Sequence, residues 1–248
     1  MSSSYDQHFL EDKETISLLV EVANLKKDDV VLEVGSGRGN ITSFLARECR
    51  KVIAVEIDKG MSKYLENMPN NVDVVYDNIL NVIERLNFNK IVANIPYSIS
   101  EPFLKKLLKI DIDLAVLLIG EKFYHLLTGK ESKWSIIIQS FYEINKIKTV
   151  PKEKFNPPPK AESIIISFNK KKNLTKKEIL IREIILQSDK KLKNALMYSF
   201  KRVFDASKRD ARSMIDSMET EQKVLEKRVA ILSNKEFRQL LNRIDNFK

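Results

Sequence analysis

VVLEVGSGRGN, residues 30–40, passes from a β-branched apolar run into a turn bearing Gly35, Gly37 and Gly39, and then into residues spaced as a helix. A short apolar run closed by glycines reads as a buried strand. Where side chains are missing, the backbone can come close to a ligand at the carboxyl end of that strand. The spacing is G-x-G-x-G, and Asn40 stands where the dinucleotide fingerprint G-x-G-x-x-G needs its last glycine. That argues against a nicotinamide cofactor.

Outward from this turn, strand patterns at 30–34, 52–56, 72–76, 91–95 and 114–119 alternate with helical patterns at 41–48, 61–67, 79–86 and 102–109. Strands alternating with helices predict a parallel sheet with right-handed crossovers. Residues 136–148 fit a helix or a strand and 163–168 a strand, both able to close the sheet's edge. After Phe168 the stretch NKKKNLTKKE shows no apolar periodicity. Beyond it 181–186, 192–204, 211–218 and 237–244 carry apolar residues at helical spacing with no strand between them. The expected organisation is an α/β domain over 1–169 and a small helical domain over 170–248.

The chain has 248 residues, 43% hydrophobic and 31% charged, the composition of a globular protein rather than a disordered one. Its longest apolar run, 114–119, falls well short of the roughly 20 residues that span a bilayer, and MSSSYDQHFL lacks the basic-then-apolar order of a secretory signal. A cytoplasmic protein with no membrane partner is expected. Cys49 has no second cysteine to pair with, and His8 and His125 lie too far apart for a metal-ligand motif, so no metal is expected. Residues 1–169 carry 22 Lys and Arg against 23 Asp and Glu, whereas 170–248 carry 21 against 11. A basic tail on a near-neutral body suits contact with a polyanion, because Lys and Arg displace counterions from phosphates; on charge alone a solvated helical surface fits equally.

Polar residues close the successive strands. Glu56 ends VIAVE, where a carboxylate can accept from both hydroxyls of a ribose; alone, it reads equally as a helix-capping or surface acid. Asp77 follows VVY, placed to accept from an adenine amine or, equally, to cap the helix starting near Ile79. With the glycine turn they point to a ligand that carries a nucleoside. NIPY, residues 94–97, closes the fourth strand. The exocyclic nitrogen of adenine is a poor nucleophile because its lone pair is delocalised into the ring. Acceptors aimed at its two N–H bonds draw the pair back, and the Asn94 side-chain oxygen and Ile95 carbonyl supply two, with Pro96 stiffening the turn. Tyr97 offers a ring on which the base can stack. In isolation these four residues are an X-Pro turn with a core tyrosine; behind a G-x-G-x-G strand turn they favour chemistry.

QHFL (7–10), EVGSGRGNIT (33–42), VEID (55–58), NIPYSIS (94–100) and FNPPPKAES (155–163) follow one another in the order and approximate spacing of a known family. In these motifs the chain resembles the rRNA adenine N6,N6-dimethyltransferases, which include the KsgA type and the Erm resistance enzymes. The resemblance covers nearly all of the first 169 residues. It implies a Rossmann-like, S-adenosylmethionine-dependent methyltransferase domain followed by a small helical domain. Carried over by position, it implies that His8 and Leu10 border the cofactor, Gly35 lies beneath its methionine part, Gly37 is a further cofactor contact, and Glu56 holds its ribose. Asp77 then reads its adenine, Asn94 stands between cofactor and target, and Phe155 is a second aromatic facing Tyr97 across a flipped adenine. From the residues alone, Phe155 is a hydrophobic anchor for the Pro-rich loop.

The expected activity is therefore methylation of adenine N6 in ribosomal RNA, with S-adenosylhomocysteine as product and a monomer acting on a partly assembled small subunit. The family's usual outcome is two methyls on each of two adjacent adenosines near the 3′ end of small-subunit rRNA. An Erm-like enzyme acting on large-subunit rRNA is the alternative, and a non-catalytic assembly or transcription factor on the same fold is a second; the retained Glu56, Asp77 and NIPY argue against the latter. A glutamine or DNA-adenine methyltransferase fits the basic tail and QHFL less well. Three positions depart from the family pattern: MSSSYD replaces a basic, glycine-containing lead, Tyr76 stands where a Gly usually precedes the Asp, and Gly120 stands where many members have Gln.

Overall fold

The computed structural model describes residues 7–129, 132–245 and 247. Two compact units divide the chain. One holds the residues up to His125 together with Glu143–Lys170; the other holds Leu126–Tyr142 and the residues from Lys171 onward. A division at 169/170 leaves Leu126–Tyr142 out of the second unit.

The first unit is built from β1 (Phe9–Leu10), α1 (Lys13–Val22), β2 (Val30–Val34), α2 (Asn40–Glu48), β3 (Lys51–Glu56), α3 (Ser62–Leu65), β4 (Val72–Tyr76), α4 (Ile79–Val82), β5 (Lys90–Asn94), α5 (Ser100–Leu107), β6 (Leu114–Gly120), α6 (Glu121–Thr128) up to His125, β7 (Tyr142–Val150) from Glu143, β8 (Phe155–Asn156) and β9 (Ser163–Lys170). Seven strands form one sheet in the order β4-β3-β2-β5-β6-β9-β7. Pairing is parallel from β4 through β6, and β9 runs antiparallel to β6 from Leu114↔Asn169 to Gly120↔Ser163. The α/β architecture with a mostly parallel sheet is the one expected from the alternating patterns. Strands buried on both faces read as continuous apolar runs, and Val31, Leu32, Ile91, Val92 and Val116 are fully buried. From β2 the chain winds out to β3 and β4, then crosses back to β5 on the other side. Such a reversal opens a crevice at the carboxyl ends of β2 and β5.

Beside α6, two features of this unit lie outside the sequence patterns above. α1 buries Ile16, Leu19 and Val20 and starts at Asp12, which accepts from the Thr15 N–H at 3.0 Å and from its hydroxyl at 2.6 Å. Lys154 also bonds Asp12 at 2.6 Å, and this bond, ahead of those from Thr15, lowers the Asp12 carboxyl to about 2. The second is a two-stranded sheet in which Phe9 pairs with Asn156 and Leu10 with Phe155, joining QHFL to FNPPP.

The second unit contains α7 (Lys133–Gln139), α8 (Lys176–Leu186), α9 (Leu192–Phe204), α10 (Lys208–Ser217), α11 (Gln222–Leu225) and α12 (Asn234–Ile244). Its core includes Leu180, Ile184, Leu192, Leu196, Phe200, Ala211, Phe237 and Leu240. Three helices open on reciprocal capping boxes, Thr175 with Glu178, Ser207 with Asp210 and Ser233 with Glu236. Residues 136–148, open between helix and strand, resolve into the end of α7 and most of β7. Arg182 donates to the carbonyls of Ser140 and Phe141 at 2.8 Å each, satisfying the backbone where α7 stops.

Candidate active site

At the carboxyl ends of β2 through β5 lies one cavity, and it gathers every site residue expected from the sequence: His8, Leu10, Gly35, Gly37, Glu56, Asp77, Asn94, Ile95, Pro96, Tyr97 and Phe155. The glycine turn forms one wall. Gly35 and Gly37 have φ of +71° and +52°, a left-handed backbone that costs a side-chain-bearing residue strain. A Cβ at Gly37 would stand 2.8 Å from the Phe9 ring, so the glycine is also needed for that ring to close over the turn. The Arg38 guanidinium sits 4.5 Å from the centre of the same ring and bonds Glu11 at 2.9 Å.

Glu56 is buried, and each carboxylate oxygen accepts one backbone N–H: Oε2 from Gly37 at 2.7 Å and Oε1 from Asp58 at 2.8 Å. It therefore organises the turn, and each oxygen keeps a lone pair for a ligand. The helix-capping reading of Glu56 does not hold: the side chain caps no helix, and Asp58 caps the short turn that follows through Gly60 N at 2.8 Å. Asp77 is exposed at the cavity rim. Asn78, one residue on, takes the N-cap role by accepting from Leu80 N, which removes the capping alternative for Asp77. Tyr76 does not line the cavity.

Asn94 closes β5 with its amide nitrogen donating to the His8 carbonyl at 2.9 Å. A carbonyl only accepts, so the nitrogen faces His8 and Oδ1 is the acceptor turned elsewhere. Ile95 N donates to Leu118 O at 3.0 Å, and the Pro96 carbonyl accepts from Ile99 N at 3.1 Å and Ser100 Oγ at 3.3 Å, which fixes the NIPY turn on both sides. The Pro96 ring lies 3.6 Å from where a Gly35 Cβ would be, so the two turns are in contact. The Tyr97 and His8 rings are 6.1 Å apart and tilted by 35°. Phe155 lines the cavity too, although it is only 4% exposed and belongs to a hydrophobic core cluster with Leu10 and Val150, as an anchor for the Pro-rich loop would.

Further residues of the site had no separate role in the sequence. Asn40 donates to Leu10 O at 2.8 Å, Gln7 to Asp58 Oδ2 at 3.0 Å, and the His8 Nδ1 lies 2.8 Å from Pro157 O. With the bond from Asn94, these tie residues 7–10 across the cavity as a strap. Ser36 Oγ is buried and has no hydrogen-bond partner among the described residues. An unpaired buried hydroxyl costs about 1–3 kcal/mol, so its presence on a ligand-facing turn favours a polar ligand group there. Glu33 is 1% exposed and accepts from the Thr42 hydroxyl at 2.5 Å. Burial above all, with the nearby Glu56 adding to it and the Thr42 bond opposing it, pushes the Glu33 carboxyl up to about 8. At that value Glu33 is mostly protonated at neutral pH. Among the described residues, no group of three or more His, Cys, Asp and Glu is arranged to hold a metal ion, and no helix is long and apolar enough to cross a membrane.

The family model for ribosomal RNA adenine dimethylases matches residues 1–240. The chain belongs to that family. A dimethylase relative in Methanococcus aeolicus, named "Probable ribosomal RNA small subunit methyltransferase A", is 32% identical over 256 residues, which is 96% of this chain and 94% of the relative. A protein of the same name in Pyrococcus abyssi is 35% identical over 201 residues, 78% of this chain and 74% of its own. A dimethyladenosine transferase from Plasmodium falciparum superposes with a TM-score of 0.64 at 24% identity, covering 96% of this chain and 98% of its own. The 23S rRNA methyltransferase ErmE does so with a TM-score of 0.59 at 23% identity, covering 96% and 99%. At such identities the two structures speak for the fold, which is that of Rossmann-like methyltransferases. As a member of the dimethylase family the chain is an S-adenosylmethionine-dependent rRNA adenine methyltransferase. Of the three departures from the family pattern, MSSSYD lies outside the described residues, Tyr76 lies off the cavity, and Gly120 lies against Tyr97.

Proposed function

We propose that this dimethylase modifies the N6 atoms of two adjacent adenosines near the 3′ end of small-subunit rRNA, acting as a monomer on a partly assembled particle. The observation that carries the chemistry is the Asn94 amide, whose donor half is committed to His8 so that Oδ1 serves as acceptor in the cavity. Gly35, Gly37, Glu56, Asp77, His8 and Leu10 hold S-adenosylmethionine, and the orphaned Ser36 hydroxyl and the two lone pairs left on Glu56 fit a polar, ribose-bearing ligand. The bound cofactor supplies an electrophilic methyl group and leaves as S-adenosylhomocysteine. No metal is assigned a part. On the chain's side, Asn94 Oδ1 and the Ile95 carbonyl accept from the two amine N–H bonds and draw the lone pair onto N6. Tyr97 and Phe155 flank the flipped base, whose extraction costs a few kcal/mol of lost stacking. The basic face of the second unit holds the surrounding RNA.

The small subunit is favoured over the large one because the curated relatives carry that name at 32–35% identity over most of the chain. The test is methylation by the purified protein, with isotopically labelled S-adenosylmethionine, of small- and large-subunit precursor particles, followed by nucleoside mass spectrometry. Dimethyladenosine confined to small-subunit RNA is the expected result. Label only in large-subunit RNA would move the protein to the Erm-like activity, and no label in either would leave the fold without this chemistry.

A further inference from the structure

Tyr97 is gripped from behind at two points that do not line the cavity. Its hydroxyl is 2.7 Å from Ser163 Oγ, and Ser163, the first residue of β9, is completely buried. Its ring rests on Gly120, the last residue of β6: a Cβ there would stand 3.2, 3.3 and 3.4 Å from Tyr97 Cε1, Cδ1 and Cζ. Gly120 and Ser163 are direct partners in the β6/β9 ladder. Both holds therefore belong to a single rung of the sheet and not to loops. The same strand anchors the turn two residues earlier, where Leu118 O accepts from Ile95 N. Gly120 has no left-handed φ, so its backbone does not call for glycine. A side chain at this position would press the ring, which would have to give by a few tenths of an ångström.

We propose that Ser163 and Gly120 are positioning residues that set the tilt and depth of the Tyr97 ring as the platform for the target base. The inference rests on the assignment of Tyr97 as that platform. Its consequence for recognition is specific. With its hydroxyl engaged by Ser163, Tyr97 meets the base through its ring, by shape and stacking, and leaves the edge of the base to Asn94 and Ile95. A platform locked by a sheet rung holds the amine in line for transfer without rotamer search at each turnover.

The experiment uses the full chain, S-adenosylmethionine and a small-subunit precursor particle, comparing S163A, Y97F, S163A/Y97F, G120A and Y97A in single-turnover methylation. Cofactor affinity by calorimetry and thermal unfolding are measured in parallel. S163A and Y97F should each slow the methylation step about 3–10-fold, the range of one lost hydrogen bond, with cofactor affinity unchanged. The double variant should be no slower than the slower single one, since both changes remove the same contact. G120A should slow the step at least as much while unfolding near the wild-type temperature, because it displaces the ring and not the backbone. Wild-type rates for both S163A and G120A beside an impaired Y97A overturn the positioning roles and leave the platform standing, as does a double variant whose loss is the product of the two single losses. A wild-type rate for Y97A overturns the platform and the positioning proposal together.

Discussion

The side-chain nitrogen of Asn94 donates to the backbone carbonyl of His8, so the residue assigned to activate the amine also fastens the strap that covers the glycine turn. Asn94→Ala removes both. Turnover should fall by ~10²–10³ through loss of a preorganised acceptor, and cofactor affinity should fall as well because the strap is released. Asn94→Asp should be no better, since an ionised carboxylate has no donor for the His8 carbonyl. Single-turnover rates and calorimetry separate the two effects. Near wild-type methylation by Asn94→Ala would remove the amine-polarising mechanism.

Glu56→Gln should weaken S-adenosylmethionine binding by about 1–3 kcal/mol, nearly as much as Glu56→Ala. The carboxylate accepts backbone N–H groups on both oxygens, and an amide would turn an NH2 toward one of them. Titration calorimetry on the purified variants decides this. Equal affinity in Gln and wild type would take Glu56 out of the ribose site.

Glu33 gives stability a pH dependence of a definite sign. Its carboxyl is held at about 8 in the folded chain by burial, against an ordinary value of 4.5. Between those values the folded state holds a proton that the unfolded state has lost, so stability falls as pH rises, by up to about 1.4 kcal/mol per pH unit. Urea unfolding at pH 6 and pH 8 should show a steeper loss in wild type than in Glu33→Gln, which cannot ionise. Parallel losses in the two proteins would show that Glu33 is charged in the fold.

At the opposite end of β5, Lys90 and Asp29 form a buried pair at 2.8 Å, and Lys90 also donates to the carbonyls of Ala23 and Asn24 at the end of α1. Burial alone would raise the Asp29 carboxyl; the bonds from Lys90, Asn89 and the Lys26 N–H outweigh it and lower it. Lys90→Met leaves that carboxylate buried without its counter-ion, held only by Asn89 and the Lys26 N–H, which should cost about 3–5 kcal/mol in denaturant unfolding. A loss below about 1 kcal/mol would mean that water reaches Asp29.

α10 presents Lys208, Arg209 and Arg212 to solvent. Reversing all three to Glu should weaken binding to ribosomal RNA and reduce the slope of log affinity against log salt by about 2–3, while S-adenosylmethionine affinity stays as it was. An unchanged slope would assign the tail's charge to solvated surface. Reversal is a cleaner test than cutting the chain after residue 173, because Leu126–Tyr142 belongs to the second unit and would lose its partners.

What the sequence disclosed followed the reach of its signals. β2, β3, β5 and β6 are buried on both faces and show as local apolar runs, and β4, half-exposed at the sheet edge, shows through its valines; Glu56, Asp77 and Asn94 are legible because each closes such a run. α1 carries a legible signal in Asp12 and the spacing of Ile16, Leu19 and Val20, between the two stronger motifs QHFL and VVLEVGSGRGN. Other features had no local signal. β1 and β8 are two residues each, too short to show a period, and they pair across more than a hundred residues. The stop between α7 and β7 lacks glycine or proline because Arg182, far along the chain, satisfies its carbonyls. Lys133 is a lysine like any other until its Nζ is seen donating to the carbonyls of Val229, Ala230 and Leu232, which draws Leu126–Tyr142 into the second unit. Asn40, noticed for what it was not, proves to be a tether for Leu10.

The short pairing of β1 with β8 has a kinetic consequence. One partner belongs to the strap beside the glycine turn, and the other begins with Phe155, assigned to the base; Phe9, Leu10 and Phe155 line the same cavity. If the spent donor leaves by way of the strap, residues 7–10 must lift, and the pairing of Phe9 and Leu10 with Asn156 and Phe155 couples that movement to the segment assigned to the adenosine. Reloading and retention then oppose each other. On these assignments a doubly modified nucleotide is made in two separate visits, and a time course with excess substrate should accumulate the monomethylated form before the dimethylated one.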